Sequence, residues 1–74
     1  MYNENEWILA NGNRVRLDLY LPGSWRIYTF GVSEKDYWKY FDEDGYTDRK
    51  QAVKDIERFL RAKGGAIKRE SNNI

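Results

Sequence analysis

At 74 residues the chain has room for one domain and one modest core, with little left for an enclosed pocket, so an independent enzyme is not expected. It holds no cysteine and no histidine, which excludes disulfides, thiol chemistry, the usual zinc sites and imidazole acid-base catalysis. The net charge of +1 is unevenly spread: residues 1–32 balance, residues 33–48 set two lysines against six acids, and residues 49–74 set eight basic side chains against three acids.

The start, MYNENEW, is polar and acidic and does not read as a signal peptide. No apolar run approaches the ~20 residues of a membrane span. A cytoplasmic location is the default expectation, with no membrane partner.

The stretch EWILANGNRVRLDLYLPG places two apolar-rich runs around Asn11-Gly12-Asn13, a hairpin signal because Asn-Gly tolerates positive φ. In the second run Val15, Leu17, Leu19 and Leu21 alternate with Arg14, Arg16, Asp18 and Tyr20, the period of a half-buried antiparallel strand. Pro22-Gly23 predicts a second turn. Trp25, Ile27 and Thr29 then alternate with Arg26, Tyr28 and Phe30 in a third strand ending near Gly31, so a three-stranded meander is expected.

In SEKDYWKYF, Ser33 and Asp36 have the spacing of a helix cap, but the β-favouring Tyr37, Trp38, Tyr40 and Phe41 tip the expectation toward a short fourth strand. FDEDGYTDRKQ raises the question of a metal loop. Counted from Asp42, a calcium loop requires a glycine at position 6 and a glutamate at 12; Gly45 falls at 4 and Val53 at 12, so a turn followed by a capped helix is expected instead. Asp48, or Thr47, serves as cap, with Gln51 placed to return the bond.

Residues 49–63 read as a helix whose apolar stripe is Ala52, Val53, Ile56, Phe59 and Leu60, opposite Lys50, Lys54, Glu57, Arg58 and Arg61. Gly64-Gly65 stops it. The remainder, AIKRESNNI, lacks periodicity and reads as a mobile tail, leaving one domain over residues 5–65 and a tail over 66–74. The predicted fold class is α+β, a three- or four-stranded antiparallel sheet with one C-terminal helix on one face, in βββ(β)α order. Leu17, Leu19, Ile27, Val53, Ile56, Phe59 and Leu60 are the expected core.

Function is argued from what such a fold leaves uncovered. With Trp25 and Ile27 inward, the outer face carries Arg14, Arg16, Tyr20, Arg26, Tyr28 and Phe30. Arginine among aromatics suits a protein interface and also phosphate contact with base stacking. In outline, a three-stranded sheet backed by a helix is similar to the small arm-type DNA-binding domains of recombinases, which insert the sheet into the major groove. That similarity implies Arg14, Arg16, Arg26 and Tyr28 as readers and the helix as backing. A competing geometry uses the helix cations Lys50, Lys54 and Arg61.

The expected role is a non-catalytic binding module that meets another protein or a second copy of itself through the sheet face. Nucleic-acid binding is the alternative, and a purely structural role is the third reading. No cofactor and no small-molecule substrate are implied, since no glycine-rich phosphate loop or convergent acid pair is present.

Overall fold

The computed structural model describes residues 2–71, with side chains described over 5–67. Six elements follow in chain order: β1 (Tyr2–Leu9), β2 (Arg14–Leu21), β3 (Ser24–Phe30), α1 (Glu34–Tyr40), α2 (Arg49–Ala62) and β4 (Ala66–Ser71). The strands form one antiparallel sheet in the order β3-β2-β1-β4. The class is α+β with a four-stranded sheet, but the order is βββααβ. The expected single C-terminal helix is corrected in two places.

First, residues 34–40 are helix rather than strand. Ser33 Oγ accepts the Asp36 N–H at 3.2 Å, and Glu34 and Asp36 sit in the positive first turn. The aromatics that suggest a strand also have helical spacing: Tyr37, Tyr40 and Phe41 share one side and pack on the core, while Trp38 is exposed. Rings of Tyr40 and Phe41 lie 5.3 and 5.4 Å from that of Phe59 on α2. Burial against a neighbouring helix outweighs a local β preference worth ~1 kcal/mol. Two polar ties join the helices: Lys63 Nζ to Asp36 Oδ2 at 2.9 Å, and Arg58 Nη2 to the Tyr40 carbonyl at 2.9 Å.

Second, residues 66–71 form a strand where the lack of periodicity suggested a tail. Gly64 and Gly65 both have positive φ, at 89° and 87°, and the Gly65 N–H donates to the Leu60 carbonyl at 2.6 Å. The reversal returns the chain to the sheet, where Leu9, Ile8 and Trp7 pair with Ala66, Lys68 and Arg69. An outer strand is held mainly by its backbone ladder, so it needs no alternation in sequence. Residues 72–74 of the expected tail lie outside the described residues.

Both turns and the α2 cap fall where expected, but the capping box does not form. Leu9 and Gly12 close the first hairpin with Asn13, through Leu9 N–H to Asn13 C=O at 2.9 Å and Gly12 N–H to Leu9 C=O at 3.0 Å. Pro22-Gly23 makes the second turn, with Gly23 at φ 76°. Asp48 caps α2, its carboxylate accepting the Lys50 N–H at 3.0 Å. Gln51 does not return a capping bond; its Nε2 donates to Asp55 Oδ1 at 3.3 Å.

Alternation sends Trp7, Leu9, Val15, Leu17 and Ile27 to one sheet face, where Ala52, Ile56, Phe59 and Leu60 of α2 cover them with Phe41 and Tyr46. Leu19 keeps the alternation but lies 36% exposed, toward the strand end that leads into the Pro22-Gly23 turn. Val53 is half-buried. The helices thus cover one face of the sheet and leave the other open.

Candidate functional site

The open face is built by the register of the strands. Arg14 stands opposite Phe30, Arg16 opposite Tyr28 and Asp18 opposite Arg26; on the other side Ile8 and Glu6 stand opposite Arg14 and Arg16. All six residues expected on this face, Arg14, Arg16, Tyr20, Arg26, Tyr28 and Phe30, are brought together. Phe30 is 67% exposed, and Tyr20 and Tyr28 are also exposed.

Two of the three arginines, Arg16 and Arg26, are committed within the face. Arg16 lies over the Tyr28 ring at 5.2 Å from its centroid, and Arg26 over the Tyr20 ring at 4.2 Å. Arg16 Nη2 also approaches Asp18 Oδ2 at 3.1 Å. Glu6 joins Arg14, Arg16, Tyr28 and Phe30 around a depression of about 530 Å³. Among the described side chains, three arginines therefore face two acids.

Asp18 is the residue that pattern reading misjudges. Its position in the alternation is outward, yet its side chain is fully buried. Burial pushes its carboxyl above the ordinary aspartate range, and the neighbouring Arg16 guanidinium offsets this only in part. Neither carboxylate oxygen has a well-formed hydrogen bond. No sequence signal distinguishes Asp18 from an ordinary solvated strand aspartate.

The helix cations form a separate group. Lys50, Lys54 and Arg61 are exposed on α2, away from its buried side made by Ala52, Ile56, Phe59 and Leu60. Since α2 lies beneath the covered sheet face, these cations and the three sheet arginines point to opposite sides of the molecule.

The acid-rich segment is a structural turn. Asp42 Oδ1 accepts the Asp44 N–H at 2.9 Å, Gly45 N–H donates to the Asp42 carbonyl at 3.1 Å, and Gly45 takes φ 80°. Tyr46 anchors the turn: its hydroxyl donates to Asp55 Oδ2 at 2.6 Å and accepts the Asp42 N–H at 2.8 Å. Burial first, then the Asp55 bond, push the Tyr46 phenol far above the usual tyrosine range. Tyr46 also bridges Trp25 backbone to backbone at the rim of the sheet. Among the described residues no three carboxylates are grouped so that they could hold a metal ion.

Family models, curated proteins and solved structures provide no match to this chain. The fold defines a small α+β protein with a four-stranded antiparallel sheet open on one face. No helix among the described residues is long and apolar enough to cross a membrane. The added helix and fourth strand also depart from the three-strand, one-helix outline shared with recombinase arm domains.

Proposed function

We propose that the protein is a small non-catalytic binding module whose uncovered sheet face contacts another protein, a second copy of itself included. The observation that carries this reading is the composition of that face: three aromatics and three arginines laid edge to edge, with Glu6 and Asp18 set among them. Tyr, Phe and Arg are the side chains that anchor protein interfaces, and stacking on the rings keeps the guanidinium groups extended at low entropic cost.

The charge arithmetic favours protein over nucleic acid. Three arginines against two acids leave a surplus of one on the described face, whereas duplex binding draws its strength from many uncompensated phosphate contacts. The helix cations Lys50, Lys54 and Arg61 lie on the far side, where they do not add to the same contact.

The test compares the wild type with Y28A/F30A in partner capture and in sedimentation across a range of concentrations, beside a titration with mixed-sequence duplex DNA at low and moderate salt. Contact that persists as salt rises and disappears in Y28A/F30A, with the fold intact by circular dichroism, is the expected result. Tight duplex binding that falls steeply with salt would replace this reading with the nucleic-acid one.

A further inference from the structure

β3 is an outer strand, and part of its free edge has no neighbour. Antiparallel alternation decides which backbone groups face outward. The Trp25 N–H and C=O exchange bonds with Tyr46 at 2.7 and 3.3 Å on the side away from β2. Two and four residues on, Ile27 and Thr29 therefore direct their groups the same way. Tyr37 confirms the direction, since its hydroxyl donates to the Ile27 carbonyl at 2.8 Å. The Ile27 N–H and both backbone groups of Thr29 have no bonding partner among the described residues.

This open edge borders a cleft of about 440 Å³, walled by Tyr37 and Trp38 of α1 and floored at one end by the Asp42–Gly45 turn. Trp38 is 49% exposed, and its ring is steadied edge-on by Tyr37 at 4.7 Å between centroids. Asp42, Glu43 and Asp44 line the cleft against one cation, Arg26, which is stacked on Tyr20. Exposed strand edges are usually blunted by a charge or a proline at the outward positions; here those positions hold isoleucine and threonine.

We infer that the β3 edge docks an extended, lysine- or arginine-bearing segment of another protein, which adds as a fifth strand beside Ile27 and Thr29. One residue of the segment exchanges two bonds with Thr29, and a residue two further along accepts the Ile27 N–H. A cationic side chain at that end lies over the Trp38 ring and meets the acidic turn. A second copy fits less well: the one cation its β3 carries, Arg26, is stacked on Tyr20, and Ile27 is held in its own core, so the acids would stay uncompensated. This site stands on the strand edge and goes beyond the sheet-face reading.

The experiment is an amide NMR titration of the full chain with a short capped peptide of alternating valine and lysine, and with its glutamate counterpart. The expected result is shifts centred on Ile27 and Thr29, slowed amide exchange there, a change in Trp38 fluorescence and no response to the glutamate peptide. E43K should weaken the lysine peptide about tenfold at low salt. T29P should abolish binding, since the proline removes an outward N–H that the sheet does not use. E43K carries the test if T29P does not fold. R14A/F30A should bind the peptide as the wild type does; a loss in that variant matching E43K would overturn the edge site while leaving the sheet-face reading in place. Equal binding of both peptides, absence of shifts at Ile27 and Thr29 at millimolar peptide, or self-association abolished by T29P would each overturn the inference as well.

Discussion

Replacing Tyr46 with phenylalanine removes one oxygen and two hydrogen bonds while leaving the ring in its buried place. The hydroxyl donates to Asp55 at 2.6 Å and accepts from the Asp42 amide at 2.8 Å, so the variant cuts the tie between the acidic turn and α2. A bond to a charged acceptor contributes ~1.5–3 kcal/mol, and the amide of exposed Asp42 regains water at small cost, so Y46F should lose ~2–3 kcal/mol. At ~0.05–0.15 kcal/mol per residue the whole chain has ~4–11 kcal/mol, which makes this a large fraction and a fall in melting temperature of about 10–20 °C. The pH dependence gives a second handle. The folded phenol is raised above its free value of 10.0, so its contribution is whole below pH 10 and is lost as pH climbs through the raised folded value. Over that interval the wild type should lose ~1.4 kcal/mol per pH unit from Tyr46, to which the half-buried and likewise raised Tyr37 adds its own slope. Urea denaturation followed by circular dichroism at pH 7 and in steps above pH 10 checks both effects. A Y46F midpoint within ~0.5 kcal/mol of the wild type at pH 7, or an unchanged alkaline slope, would refute the anchoring role.

Two further perturbations probe the core and the open face. Phe59 is fully buried, with Tyr40 edge-on and Phe41 tilted against it. F59A should cost ~3–5 kcal/mol, a third or more of the total, and shift the urea midpoint far down. A midpoint unchanged from the wild type would refute the central place of Phe59 in the core. Asp18 works in the opposite sense. Its folded pKa is raised by burial, so its favourable contribution is present below the free value of 3.8 and is lost as pH rises through the folded value. D18N, neutral throughout, should therefore denature at a higher urea concentration than the wild type at pH 7, with the gap closing on acidification below the usual carboxylate range. A D18N midpoint below that of the wild type at pH 7 would show that the Arg16 contact outweighs the burial cost.

Much of this protein was determined by sequence alone, because its signals are local. Alternation in RVRLDLYL assigns each side chain of β2 to a face whatever lies beyond it. Asn11-Gly12 and Pro22-Gly23 set the turns through backbone freedom, and Asp48 with the Ala52, Ile56, Phe59 and Leu60 stripe sets α2 through a cap and a period. Alternation groups Arg14, Arg16 and Tyr20 on β2 and Arg26, Tyr28 and Phe30 on β3. Trp25/Ile27 and Tyr28/Phe30 are both apolar enough to face the core, however, so the inward face of β3 is settled only by the burial of Ile27 in the folded chain. Tertiary structure decided the rest. Tyr37, Tyr40 and Phe41 suit a strand by propensity and become a helix because Phe59 packs against Tyr40 and Phe41, and Tyr37 packs on Phe41. AIKRES has no pattern of its own and becomes β4 because β1 offers an unpaired edge within reach of the glycine reversal. Asp18 is sealed and the β3 edge is left open for the same physical reason: burial and edge exposure depend on which neighbours arrive in space, and strand periodicity carries no record of them.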